Sequence, residues 1–275
     1  MQKKRVFENE LCEYRKEELS DLAESIIENY IGDDFIEPEI IANVNRVTFS
    51  YGNYRDAFDG LIQHKFGRFH IFINSNRSGF KTNPRSRFTF GHELGHFYID
   101  EHRNALKKGR VLSHPSFNLL LPKNLAEKEA DFFSSCLLMP SKRFRKQCIK
   151  RPLSGKLIDS LSTHFQTSIS ATIFRYFELR LFPMFIVCCK DSKVKWYFRS
   201  EDFLYNYPPK YGAPVPNSSV AGEFFYNQRE YSTEEIIYPD DWFSDFIMDK
   251  RQPLFEKCYY LKSTNSVISL LWVKE

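Results

Sequence analysis

From Phe88 to Ile99 the chain is mostly apolar, the pattern of a largely buried helix, and into that run it sets His92-Glu93-Leu94-Gly95-His96. At about 100° per residue, the two histidines of this H-E-x-x-H string lie one turn apart on one face, close enough to bind a single ion. Glu93 is rotated about 100° from His92, so it flanks the site and reaches a water beside the metal rather than the metal itself. Metal-assisted hydrolysis needs this arrangement: zinc lowers the pKa of a water to about 7, and a carboxylate takes the proton as the water attacks a carbonyl. Gly95 costs the helix roughly 1 kcal/mol, and its missing side chain leaves room for another element to pack close. The competing reading is a pair of partly buried histidines on an amphipathic helix, because the string also arises by chance.

The rest of the chain can bury such a helix. Its 275 residues are 42% hydrophobic and 16% aromatic, enough for one substantial core and a second, smaller domain. The net charge of +4 is too mild to argue for nucleic acid. None of the six cysteines forms a C-x-x-C pair, so they read as buried thiols in a reducing compartment. No apolar run follows the charged start Met1 to Glu10, and the longest apolar stretch, Leu181 to Cys189, is far too short to span a bilayer. A cytoplasmic location with no membrane partner is the expectation.

A catalytic zinc site wants a third protein ligand. His102 lies ten residues after His92, the spacing of H-E-x-x-H-x-x-G-x-x-H, but the glycine position is Ile99, which suits the required turn poorly. The other candidates are acids on a helix expected from Asn124 to Leu138. Glu129, among Ala130, Phe132, Phe133 and Leu137, is expected at its buried edge, with Glu127 as the alternative ligand. Glu127 and Asp131 are four apart and share a side, so one of them can orient a ligand histidine through its second nitrogen. Tyr98, His102 and His114 are candidates for stabilising a transition-state oxyanion.

Arg87-Phe88-Thr89-Phe90-Gly91-His92-Glu93-Leu94-Gly95-His96, Glu127-Lys128-Glu129-Ala130-Asp131-Phe132-Phe133 and Leu137-Leu138-Met139-Pro140 together resemble the ImmA/IrrE family of metallopeptidases over residues 15–180. Its members carry R-F-T-x-A-H-E-x-G-H followed by E-A-N-x-F-A-x-x-L-L-M-P. The resemblance implies an α+β, zincin-like endopeptidase domain with a glutamate as third ligand, a role that falls on Glu129. It also implies a protein substrate, since the best-known members cleave helix-turn-helix repressors and so regulate transcription. Gly91 stands for the usual Ala, Asp131 for Asn, and Phe133-Ser134-Ser135 for Phe-Ala-Ala. None of these departures removes a ligand.

The expected organisation is a zincin-like domain over 1–182, helices packed on a small mixed sheet, and a smaller α/β or β-rich domain over 183–275 that senses a signal or recognises substrate. Strands are expected at 46–51, 57–63 and Arg68 to Ile73, the last either an edge strand that pairs with substrate backbone, as in zincins, or an ordinary sheet strand. Residues 103–123 read as irregular. Helices are expected at 11–30, 39–43, 141–149, 156–165 and 169–180. Within 154–180 a helix-turn-helix-like pair is built on Leu157, Leu161, Phe165, Ile169, Ile173 and Tyr176. Just upstream, Lys142, Arg143, Arg145, Lys146, Lys150, Arg151 and Lys156 run without an acid, which leaves DNA binding as a secondary possibility. The main alternative to an enzyme is a DNA- or protein-binding regulator with a structural or vestigial metal site.

Overall fold

The computed structural model describes residues 11–32, 35–109, 114–116, 124–244 and 252–274. The chain gathers into two compact units, Met1–Ile149 with Leu161–Ala171, and Lys150–Ser160 with Thr172–Glu275.

The first unit opens with α1 (Glu13–Tyr30) and α2 (Pro38–Val44), the latter started by a proline whose missing N–H costs nothing in the first turn. Strands β1 (Thr48–Gly52), β2 (Gly60–Lys65) and β3 (Arg68–Asn74) follow. The β2–β3 hairpin turns on Phe66 and Gly67, both at positive φ, 52° and 75°. That backbone matches strand twist but suits glycine better than phenylalanine. After the short α3 (Ser75–Ser78) comes α4 (Pro84–Tyr98), with Pro84 in its first turn and the Asn83 side chain accepting from the Arg85 amide. Next are α5 (Asp100–Lys107), β4 (His114–Ser116), α6 (Leu125–Leu138) and α7 (Ser141–Cys148). The side chain of Asn124 caps α6 by accepting from the Ala126 amide at 2.9 Å.

The sheet order is β1-β3-β2-β4, with β1 parallel to β3 and the other pairs antiparallel. This corrects one expectation: β3 has both edges filled, by β1 and β2, and has none left for a substrate. Among the described residues the outer position beside β2 belongs to β4, within the stretch expected to be irregular; α5 also lies in part within it.

Helix α4 is buried along almost its whole length, with Phe90 and Leu94 in the core beside Ile62, Ile71 and Ile73 of the sheet and Phe133 and Leu137 of α6. Two glycines set its closeness to α6. A Cβ on Gly95 would stand 3.1 Å from the Ala130 Cα, and one on Gly91 would stand 2.5 Å from the Ser134 hydroxyl. The departures at 91 and 134 therefore compensate: Ser134 fills the space an alanine at 91 would take, and donates to the Phe88 carbonyl at 2.8 Å.

Helices α8 (Gly155–Phe165) and α9 (Ile169–Glu178) follow. Gln166 between them adopts the left-handed conformation, φ 50°, that glycine usually supplies at such a turn. Upstream, Lys142 is engaged by Glu28 at 3.1 Å and Arg143 by the Gly32 carbonyl.

The second unit holds an all-antiparallel sheet in the order β6-β5-β9-β8-β7, from β5 (Phe185–Lys190), β6 (Lys193–Arg199), β7 (Glu235–Ile237), β8 (Leu254–Leu261) and β9 (Ser266–Val273), with α10 (Val220–Asn227). On β8 lies a fully buried carboxylate, Glu256, bonded by the amides of Val220 at 2.9 Å and Ala221 at 3.2 Å, Trp242 Nε1 at 3.1 Å and Ser269 Oγ at 2.8 Å. Burial pushes this acid up, and the same bonds offset that only in part. It caps the start of α10, a local reason for an acid in an apolar strand.

Candidate metal centre

His92 and His96 are carried on one face of α4, and α6 crosses that face at the distance the glycines allow. Two ring nitrogens and one carboxylate converge there. His92 Nε2 and His96 Nε2 are 3.1 Å apart, and the Glu127 carboxylate lies 3.5 Å from the first and 3.3 Å from the second. Among the described residues these form the group that could hold a metal ion. Ligands about 2.0–2.1 Å from one tetrahedral ion stand roughly 3.3 Å from each other, so the triangle fits zinc. Both histidines are 2% exposed, which leaves their charge and polarity to be balanced inside the protein.

Glu129, the acid to which the resemblance points, is not in this triangle. Its Oε1 accepts from Arg15 Nε at 2.8 Å and its Oε2 lies 2.9 Å from His102 Nε2. It is buried as expected, but against α1 and α5 rather than against the ligand face. Glu127 and Asp131, one turn apart on α6, are the two acids that face His92. Asp131 Oδ1 meets His92 Nδ1 at 2.8 Å, the role of orienting a ligand ring foreseen for one of them. Burial pushes the His92 imidazole down, but hydrogen bonds to Asp131 and Glu127 outweigh it and hold the ring well above its ordinary range. Burial also pushes Glu127 up, and the two histidines overcome that and hold it below the usual carboxylate range. This triangle stabilises positive charge.

His102 also approaches the site, without the glycine its spacing seemed to require. Ile99 turns the chain in ordinary extended geometry, φ −71° and ψ 114°, and α5 starts at the next residue. The ring then stands behind His96, Nδ1 to Nδ1 at 3.2 Å, away from the converging atoms. Burial pushes His102 down, which keeps it neutral. Of the other oxyanion candidates, Tyr98 is stacked on Phe133 at 6.0 Å between centroids, and the side chain of His114 lies outside the described residues.

Glu93 is fully buried, and neither carboxylate oxygen closes a hydrogen bond of ordinary length among the described residues. A Cβ on Gly60 would come within 2.6 Å of Glu93 Oε1 and 2.4 Å of Thr89 Cγ2, so the first residue of β2 leaves the carboxylate its space. Burial pushes Glu93 up to about 8, and His92, Ser116 and the Ile62 backbone pull it down only in part. In the metal-free folded protein Glu93 therefore keeps its proton up to about pH 8, whereas its ordinary value is 4.5. Its stabilising contribution is complete below the lower value and is lost as pH rises through the upper one. The melting temperature of metal-free protein should fall more from mildly acid to mildly alkaline pH in wild type than in Glu93→Gln. Parallel curves would refute the raised pKa.

Arg87, also in the recognised string, is a structural anchor. Its guanidinium is buried, donates to the Ile36 carbonyl at 2.9 Å, and lies 4.5 Å over the Phe35 ring.

Residues 43–176 match the Peptidase_M78 family, described as the IrrE N-terminal-like domain. No curated protein matches the chain. Among solved structures, a Mycobacterium tuberculosis transcriptional regulator is similar with a TM-score of 0.58 at 13% identity, covering 94% of this chain and 76% of that one. The fold is α+β and zincin-like, with a β-rich sheet in the C-terminal part. Among the described residues no helix is long and apolar enough to cross a membrane.

Proposed function

We infer, for a chain whose residues 43–176 belong to the Peptidase_M78 family as an IrrE N-terminal-like domain, a zinc-dependent endopeptidase that hydrolyses a peptide bond in a protein substrate. The observation that carries this reading is the convergence of His92 Nε2, His96 Nε2 and Glu127 within 3.1 to 3.5 Å of one another, beside a buried carboxylate. Two histidines and a glutamate are a donor set of catalytic zinc, with room for water or substrate at the fourth position.

Zinc held by these residues supplies Lewis acidity, acidifying water and polarising a carbonyl oxygen. The remaining work belongs to the chain. Asp131 accepts the Nδ1 proton of His92 and leaves Nε2 its lone pair. Glu93 takes a proton from the attacking water and passes it to the departing amide nitrogen, acting first as base and then as acid. A dry carboxylate suits both steps, because burial raises its basicity while a cation at the imidazoles favours its ionised form.

The resemblance to ImmA/IrrE peptidases supports a helix-turn-helix transcriptional repressor as the substrate. A regulatory role accords with the description of the similar M. tuberculosis protein as a transcriptional regulator. Proteome-wide mapping of new N-termini, after incubating zinc-loaded wild type or Glu93→Gln with an extract of the source cells, tests the reading. New termini should appear with wild type alone, in a small number of proteins that include a DNA-binding repressor. Identical terminus sets for the two proteins would reject peptidase activity and favour a binding regulator.

A further inference from the structure

We propose that Ser116 is a positioning residue for Glu93: its hydroxyl holds one carboxylate oxygen on the sheet side and leaves the other to the attacking water. The purpose of this contact rests on the peptidase reading above; its geometry does not.

The placement follows from one strand pair. Gly60 opens β2 and lies opposite Ser116 of β4 across an antiparallel ladder. Side chains directly opposite in such a ladder share one face, with Cβ atoms about 4.5–5.5 Å apart. Gly60 shows which way that face is turned, because a Cβ there would stand 2.6 Å from Glu93 Oε1 and 3.2 Å from its Cδ. The face is turned to α4, and the Glu93 carboxylate takes the space that the missing side chain leaves. Ser116 borders the same space from the neighbouring strand, is wholly buried, and its hydroxyl acts on the carboxylate. Oε1 is thus the oxygen nearer the sheet, and Oε2 the one left for water.

The two groups also need each other. Among the described residues neither Ser116 Oγ nor either oxygen of Glu93 closes a hydrogen bond of ordinary length. A buried hydroxyl and a buried carboxylate held apart each bear their full desolvation. An ionised carboxylate is an acceptor only, and the hydroxyl has one proton to give. The bond between them is charge-assisted, so it tightens when Glu93 is ionised and ready to take a proton. The main chain around Ser116 is anchored to match. Its carbonyl accepts from the Asp59 amide at 2.8 Å, and Asp59 is gripped by Arg77 Nε at 2.9 Å and by Arg85 Nη2 at 3.1 Å to both its oxygens. This accounts for a fully buried aspartate just ahead of Gly60, which the metal triangle leaves unexplained. A serine kept for its size alone could be alanine.

The test joins crystals of the zinc-loaded protein to the kinetics of Ser116→Ala. In wild type Ser116 Oγ is expected about 2.5–3.0 Å from a Glu93 oxygen, and in Ser116→Ala the Glu93 side chain should occupy more than one position. On the protein whose new terminus appears in the mapping above, Ser116→Ala should lose about 10- to 100-fold in kcat, with KM and zinc Kd unchanged. A residue kept for packing would not separate kcat from KM in this way. Added to Glu93→Gln, Ser116→Ala should cost nothing further, because it acts only through the carboxylate. A wild-type separation beyond ~3.5 Å, near-normal kcat in folded Ser116→Ala, or a further loss in the double variant would each overturn the assignment. Identical termini from wild type and Glu93→Gln would instead reject the peptidase reading, while the wild-type crystal distance would still decide whether Ser116 holds Glu93.

Discussion

Glu93→Gln should lower peptide-bond hydrolysis by about 10²- to 10⁴-fold or more and leave zinc affinity close to that of wild type. The amide has the shape of the acid and fits the space left by Gly60, whose Cβ would otherwise stand 2.6 Å from Glu93 Oε1. It cannot accept and return a proton, so the loss falls on kcat. Zinc binding is spared because Glu93 is not in the ligand triangle, and the substitution removes a group that is costly to ionise where it is buried. The check is kcat and zinc Kd measured on the same preparation. Near-normal turnover would remove Glu93 from its role, and loss of zinc would make it a ligand.

Glu127→Ala should abolish tight zinc binding, since two histidines alone rarely hold the ion. The effect should exceed that of Glu129→Ala, for which the expected loss is the ~10- to 100-fold typical of an outer partner. Competition with a chromogenic chelator gives the order directly. This order reverses the one implied by the family resemblance, in which Glu129 is the ligand; a larger loss in Glu129→Ala would restore it. The physical ground is the distance between Glu127 and the two Nε2 atoms, 3.3 and 3.5 Å, against the engagement of Glu129 by Arg15 and His102.

How these acids divide their roles shows where the sequence is legible. His92, Glu93 and His96 are placed by helix periodicity alone, because three residues within one turn have fixed relative directions. That one of Glu127 and Asp131 orients a ligand histidine follows from the same rule once α6 is placed, but which of them does not. The choice between Glu127 and Glu129 turns on the rotation of α6 about its axis, which is set by the contacts of Gly95 with Ala130 and of Gly91 with Ser134, more than 30 residues apart in sequence. Expected burial points to Glu129, and Glu129 is buried, but by Arg15 from a distant helix that carries no local signal. Likewise β3 reads as a strand from its residues, while its inner position depends on the parallel partner β1 and the antiparallel partner β2. The missing glycine at 99 argues against His102 in the sequence, yet Ile99 makes the turn in extended geometry and delivers the ring to the back of His96. Local pattern names the helices and the paired histidines, whereas long-range packing decides which acid meets them.

The most direct test of the central claim is an anomalous difference map at the zinc edge from crystals of the zinc-loaded protein. The account predicts one peak per chain, bounded by His92 Nε2, His96 Nε2 and the Glu127 carboxylate, with Glu129 still bonded to Arg15. A peak bounded by Glu129 or His102, or no peak at the paired histidines under saturating zinc, would contradict it.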